Sequence, residues 1–106
     1  MDADVDPQAR VADFVETHDL ETPAAYRLLD AVAELGEVAA EVCASTDYGA
    51  EPDAAAVPVD ELGDAVFALL ALCEELEVDA EDALETSLAK YEARIEETGH
   101  ADSGVS

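Results

Sequence analysis

Two short, nearly repeated segments carry the residues best suited to chemistry. Residues 34–37 read Glu-Leu-Gly-Glu and residues 61–64 read Glu-Leu-Gly-Asp, each within a stretch of helical apolar periodicity. Acids three residues apart project from one helix face, so two such helices packed together bring four carboxylates to one point. Oxygen ligands of this kind suit a hard divalent cation. The pattern predicts a Mg²⁺ site, with Mn²⁺ as the alternative metal, formed by Glu34, Glu37, Glu61 and Asp64.

The overall composition offers a competing explanation for any single acid pair. Asp and Glu number 28 of 106 residues against 4 Lys and Arg, which gives a formal net charge of −24. Many acids in such a chain only solvate its surface. These two pairs differ because the run from Ala65 to Cys73 is uncharged and predicts a helix segment buried on all sides. Gly36 and Gly63 at matching places predict a close approach of the two helices.

The charge also excludes some classes of partner. Binding to nucleic acid or to an anionic membrane needs a basic patch, and the sequence has none. Acids spread along the whole chain are typical of halophilic proteins, which stay soluble in molar salt. We expect a cytoplasmic protein because there is no signal peptide or transmembrane stretch. Cys43 and Cys73 are expected to be buried, reduced thiols.

Apolar periodicity predicts an all-α fold of four helices in one bundle. Residues 7–98 form the single helical domain, and residues 1–6 and 99–106 are expected to be flexible. Pro7 starts the first helix, which ends near His18, and Thr22 caps a second that begins at Pro23 and runs to about Ser45. Asp79 caps the fourth. The predicted core stripes are Leu28, Val32, Leu35, Ala39 and Val42; Val59, Leu62, Val66, Leu69, Cys73 and Leu76; and Leu84, Leu88, Tyr91 and Ile95.

An ordered set of four motifs resembles one known family. The acidic segment 34–37, a Thr-Asp-Tyr-Gly turn at 46–49, the acidic segment 61–64 and Lys-Tyr-x-x-Arg at 90–94 follow one another as in the MazG-like, all-α nucleotide pyrophosphohydrolases. The resemblance covers roughly residues 10–97 and is to a haloarchaeal-type acidic member. Two positions depart from the family pattern. Ala33 stands where a glutamate is frequent, and Leu88 where an asparagine is common.

The resemblance implies an enzyme. Family members bind Mg²⁺ through the two acid pairs and cleave a nucleoside triphosphate between its α and β phosphates, releasing the monophosphate and pyrophosphate. Carried over, the metal ligands are Glu34, Glu37, Glu61 and Asp64, and Lys90 and Arg94 face the substrate phosphates. Apart from the resemblance, Glu41 extends the acid stripe one turn beyond Glu37 and is the candidate catalytic residue that could orient or deprotonate the water; the alternative is a solvated position. The alternative for Lys90 and Arg94 is surface ion pairing with Glu92 or Glu97, or favourable placement near the helix C-terminus.

Two other functions remain open at the level of sequence. The chain could be a nucleotide- or metal-binding helical module with little turnover, or a non-catalytic oligomerisation domain. Aromatic residues make up only 5 % of the chain and much of its apolar content is alanine, so an isolated core has little bulk. We therefore expect a homo-oligomer, a dimer or a tetramer. Phe14 is expected to pack in the ordinary way, although with His18 it could wall a base pocket.

Overall fold

The computed structural model describes residues 6–99, which contain four α-helices and no β-strand. The helices are α1 (Pro7–Thr17), α2 (Ala24–Ser45), α3 (Val59–Glu75) and α4 (Ala80–Thr98). A short 3₁₀ turn, Pro52–Ala54, lies in the loop between α2 and α3. The all-helical fold class is thereby confirmed. The segments 1–5 and 100–106, which hold most of the predicted flexible ends, lie outside the described residues.

Local signals set most of the helix ends where the sequence predicts them. The Asp6 carboxylate accepts a hydrogen bond from the Ala9 amide at 2.7 Å and caps α1. The Asp79 carboxylate caps α4 by accepting from the amides of Glu81 and Asp82 at 2.9 and 3.2 Å. Gly99, with a φ of 85°, ends α4 in the left-handed conformation that glycine adopts without strain.

The start of α2 differs from the prediction by one residue. Pro23, not Thr22, is the N-cap, with an extended ψ of 154° and no side-chain capping bond. Its carbonyl oxygen accepts hydrogen bonds from the amides of Tyr26 and Arg27. The cap position suits proline because an N-cap needs a carbonyl acceptor and not an N–H donor.

Helices α2 and α3 pack against each other, and the apolar side chains that are buried in these two helices are small. Ala31 on α2 and Ala68 and Ala71 on α3 are buried. Helix α1 packs against α3 through Val11 and Val15, beside Ala71. No large side chain among the described residues is fully buried. The core of one chain is therefore built mainly from alanine and valine.

The predicted core stripes are wrong for a single chain. Leu28, Val32, Leu35 and Val42 on α2 are exposed, as are Leu62, Val66, Leu69 and Leu76 on α3. The α4 stripe of Leu84, Leu88, Tyr91 and Ile95 is exposed too. The helices follow the predicted apolar period, but the apolar residues buried in α2 and α3 are alanines. Alanine lets two helix axes approach closely, which leaves the bulkier side chains facing outward.

Two further expectations about the acid pairs are also wrong. The uncharged run is not buried all round, because only Ala68 and Ala71 within it are buried while Val66 and Leu69 remain half exposed. Gly36 and Gly63 do not mark a close helix approach, since a β-carbon built on either would meet nothing within 4 Å. Neither glycine is required by packing within one chain.

Helix α4 departs from the predicted bundle. It makes no extended packing contact with the other described helices, whereas α3 packs against both α1 and α2. Its start is held by Gln8 of α1, whose side-chain amide bonds the turn before α4. The Gln8 Nε2 donates to Glu74 Oε1 at 2.9 Å and to the Val78 carbonyl at 2.8 Å, and Oε1 accepts from the Ala80 amide at 2.6 Å. Three helices pack together, and the fourth extends from this turn.

Candidate metal centre

Three of the four predicted ligands come together between α2 and α3. One carboxylate oxygen from each of Glu34, Glu61 and Asp64 lies within 4.8 Å of the other two. Glu34 is supplied by the middle of α2, and the other two by the first turns of α3. Glu34 and Glu61 are half-buried, and Asp64 is exposed. We call these three residues the acid cluster.

Burial and neighbouring charges disfavour the ionised forms of Glu34 and Glu61. Burial raises the pKa of Glu34 above its ordinary value of 4.5, and the neighbouring charges of Asp64, Glu37 and Asp30 raise it further. The pKa of Glu61 is raised first by burial and then by the charges of Glu37, Asp60, Asp64 and Glu41. A bound cation relieves this repulsion, since it favours the ionised form of each carboxylate.

Glu37 and Glu41 lie beside the cluster and outside it. Glu37 is near enough to raise the pKa of both Glu34 and Glu61, and Glu41 acts on Glu61. Glu37 is exposed and Glu41 half-buried. Glu37, the fourth predicted ligand, therefore interacts electrostatically with the acid cluster but is not one of its three members. The earlier acid on α2, Glu34, interacts with the later acid on α3, Asp64, whereas the later Glu41 interacts with the earlier Glu61. Helices α2 and α3 therefore run antiparallel.

The predicted phosphate-binding cations lie on α4, away from the packed helices. The Lys90 ammonium and the Arg94 guanidinium both lie over the ring of Tyr91, at 5.2 and 5.6 Å from its centroid. Such cation–π contacts orient both side chains along one flank of the helix. The structure shows these ring contacts in place of the alternative ion pairs with Glu92 and Glu97. It does not bring the pair to the acid cluster.

A groove of about 1090 Å³ runs between α1 and α3 and contains the residues considered for a base pocket. Phe14 packs edge-on against Phe67, with ring centroids 5.9 Å apart, and lies 4.4 Å from the ring of His18. Phe14 is 49 % exposed, so it both joins the two helices and lines the groove. His18 is exposed at the end of α1.

Two polar residues have structural roles that the sequence does not predict. Gln8, described above, ties α1 to the start of α4. Arg27 is buried, and its guanidinium donates from Nη2 to the Leu20 carbonyl while Nε has no hydrogen-bond partner. The only signal for Arg27 is its rarity, as one of 4 cations in the chain. Cys43 is exposed and Cys73 half-buried, which corrects the expectation of two buried thiols, and both are free.

No protein-family model, curated protein or solved structure matches this chain. Among the described helices, none is long and apolar enough to cross a bilayer. The assignment of function therefore depends on the residues themselves and on the order of the motifs.

Proposed function

We propose that the protein is a Mg²⁺-dependent nucleoside triphosphate pyrophosphohydrolase that cleaves between the α and β phosphates. The observation that supports this most is the convergence of Glu34, Glu61 and Asp64 from two helices. These residues belong to the two segments through which the sequence resembles the MazG-like family. Hard oxygen donors on facing helices fit Mg²⁺ or Mn²⁺.

The cluster fits a divalent metal better than a cation of the protein itself. Three carboxylates within 4.8 Å repel one another, and three of the four cationic side chains, Arg27, Lys90 and Arg94, make their contacts elsewhere. The metal would be held by Glu34, Glu61 and Asp64, with Glu37 beside them. When bound, it would neutralise phosphate oxygens and lower the pKa of an attacking water.

The remaining roles belong to residues around the cluster. Glu41, which is half-buried and interacts with Glu61, would accept a proton from the attacking water. Lys90 and Arg94 would contact the phosphates and stabilise the negative charge that develops on the leaving pyrophosphate. At a net charge of −24, the protein attracts Mg²⁺ and repels free nucleotide, so metal should bind first. We also propose that the chain works as a halophilic, cytoplasmic homo-oligomer.

One observation favours a second candidate, a metal- or nucleotide-binding module with little turnover. The helix that carries Lys90 and Arg94 is not packed against the helices that carry the acids. If α4 stays apart when nucleotide binds, the site has a metal but lacks phosphate-binding cations, and turnover would be slow.

A panel of nucleoside triphosphates with Mg²⁺ in molar KCl tests the proposal. Monophosphate and pyrophosphate are measured separately, because α–β cleavage yields both in equal amounts. We expect both products from the wild type and neither from Asp64→Ala. Asp53→Ala removes an exposed carboxylate on the loop and should keep full activity. Release of inorganic phosphate alone, or turnover that survives in Asp64→Ala, would contradict the proposed reaction. Metal binding without turnover would support the module.

A further inference from the structure

The turn that follows α2 is the one sequence motif to which the proposed function gives no role. It comprises residues 46–49, Thr-Asp-Tyr-Gly, and we call it the α2 turn. Three successive residues in it have a positive φ, with Asp47 at 53°, Tyr48 at 55° and Gly49 at 93°. Left-handed backbone is uncommon outside glycine and least favourable for a bulky side chain. A tyrosine kept in this conformation needs support from the structure around it.

That support comes from Thr46, the residue at the end of α2. Thr46 is only 6 % exposed, and its hydroxyl donates to the Val42 carbonyl at 2.7 Å and accepts from the Gly49 amide at 3.1 Å. The Tyr48 amide donates to the Cys43 carbonyl at 2.7 Å. Hydrogen bonds to the last turn of α2 therefore fix the backbone that carries Tyr48.

The side chain carried by this backbone projects into solvent. Tyr48 is 83 % exposed, more than any other aromatic residue in the described part of the chain. Phe14 and Phe67 pack on each other, and the ring of Tyr91 has two cationic side chains over it. The Tyr48 ring has no ring or cation partner among residues 6–99. A strained backbone that presents an unpartnered aromatic ring is typical of a ligand-binding position.

The α2 turn follows the acid-bearing part of α2 directly. Thr46 is nine residues beyond Glu37 and five beyond Glu41, which corresponds to about 14 Å and about 8 Å along the helix axis. Glu37 and Glu41 both interact with Glu61 of α3. The acids and the exposed tyrosine thus lie along one stretch of the paired helices, at a separation that a nucleotide can span.

Helix α1 leaves this stretch open. Gln8 contacts Glu74 and Phe14 contacts Phe67, so α1 runs antiparallel to α3. Helix α1 ends three residues after Phe14, about level with Asp64. A ligand bound at the acid cluster can therefore extend along α2 to the α2 turn without crossing α1.

We propose that the Tyr48 ring stacks on the base of the nucleotide whose phosphates bind at the acid cluster. Aromatic side chains stack on any base, because every base has a π-face. A base carries no charge at neutral pH, so a protein of net charge −24 does not repel it as it repels phosphate. The substrate then lies with its phosphates at the metal and its base at the α2 turn. This inference rests on the nucleotide substrate of the proposed function but not on its hydrolysis.

Isothermal titration calorimetry with two kinds of ligand separates the base from the phosphates. The α,β-methylene analogues of ATP, GTP, CTP and UTP carry a base and cannot be cleaved between the α and β phosphates, whereas inorganic triphosphate has no base. In Mg²⁺ and molar KCl, Tyr48→Ala should raise the dissociation constant of the tightest-binding analogue about five- to a hundredfold, the range for loss of one base stack. The dissociation constant of inorganic triphosphate should stay unchanged.

Matched variants show whether the ring itself makes the contact. Tyr48→Phe keeps the ring and should bind the analogue like wild type, as should Tyr26→Ala, which removes an exposed tyrosine near the start of α2. Tyr48→Gly should lose as much affinity as Tyr48→Ala. It should nevertheless melt at a higher temperature than Tyr48→Ala, because glycine adopts a φ of 55° without strain.

The contrary results are distinct from one another. Analogue binding that Tyr48→Ala leaves unchanged would overturn the inference alone. So would a loss of affinity in Phe14→Ala instead, because the base would then lie in the groove between α1 and α3. Equal weakening of inorganic triphosphate and analogue by Tyr48→Ala would also overturn it, since Tyr48 would then act on the phosphates. If neither ligand bound to the wild type with Mg²⁺, the proposed function would fail together with the inference.

Discussion

At the scale of single residues, repulsion within the acid cluster should make the metal-free protein sensitive to pH. The pKa values of Glu34 and Glu61 are raised in the folded chain, so the folded state holds protons that the unfolded state has released. Their contribution to stability is therefore complete below the ordinary carboxyl value of 4.5 and is lost as pH rises through the raised values. Stability of the metal-free protein should fall across that window.

The comparison of two neutralising variants isolates this effect from the other acids. In EDTA and constant KCl, Glu34→Gln should flatten the dependence of the melting temperature on pH, whereas Glu92→Gln on α4 should keep the wild-type slope. Circular dichroism melts between pH 4 and pH 7 measure both. Equal slopes in the two variants would show that Glu34 is solvated like any surface acid.

The role of Lys90 is also a single-residue question. Because the proposed contact is with phosphate and not with the metal site, Lys90→Ala should lower turnover by roughly ten- to a thousandfold, as for loss of one charge-stabilising donor. Its Mg²⁺ affinity should stay unchanged. Arg10→Ala, which removes a cation from α1, is the matched control and should retain activity. Unchanged kinetics with a lower melting temperature would show that Lys90 stabilises the fold through its contact with Tyr91 and does not act on the substrate.

At the scale of elements, local chemistry predicts the helices well. Pro7 and Asp79 signal helix starts through a fixed backbone angle and a capping bond, and these signals are independent of the rest of the fold. Which face of a helix is buried depends on neighbours, and the sequence does not reveal them. Ala31 and Ala68 are buried, whereas Val32 and Leu69, which the sequence pattern predicts as core residues, are exposed. The direction of α4 could not be predicted, because it depends on a contact between Gln8 and Ala80 across most of the chain.

The contact made by Gln8 gives a test of how α4 is positioned. Gln8→Ala removes three hydrogen bonds, which link α1 to Glu74 at the end of α3, to the Val78 carbonyl in the turn and to the Ala80 amide at the start of α4. We expect amide hydrogen exchange in the first turns of α4 to quicken by about tenfold or more, since each bond contributes on the order of 0.5–1.5 kcal/mol. Turnover should fall with that change, while Mg²⁺ affinity stays constant.

Gln8→Glu sharpens this test. A glutamate keeps the acceptor for the Ala80 amide but loses both donors and places a second carboxylate next to Glu74. It should therefore quicken exchange in the first turns of α4 less than Gln8→Ala does, because the bond to the Ala80 amide remains. Exchange rates in α4 that are identical in wild type and both variants would show that the helix is held by its own cap at Asp79 alone.

At the scale of the whole molecule, the sequence located the acids of the candidate site more reliably than the core. The i, i+3 spacing places Glu61 and Asp64 on one face of a helix whatever its partner, and both join the acid cluster with Glu34. Glu37 has the same spacing from Glu34 yet borders the cluster, because its distance to α3 depends on how the two helices pack. The leucine stripes are exposed in one chain, because which face of each helix is buried depends on the packing of its neighbours.

Metal-dependent stabilisation of the whole protein is the most direct test of the central claim. The claim is that Glu34, Glu61 and Asp64 bind a divalent cation in the native state only. In molar KCl, saturating Mg²⁺ or Mn²⁺ should raise the wild-type melting temperature. At a metal concentration one hundred times the dissociation constant, the free energy of unfolding should rise by about 2.7 kcal/mol. Asp64→Ala should match or exceed wild-type stability without metal, because it relieves repulsion, and should gain nothing from metal. An equal rise in wild type and Asp64→Ala would contradict the account, since the cation would then only be screening the charge of the surface.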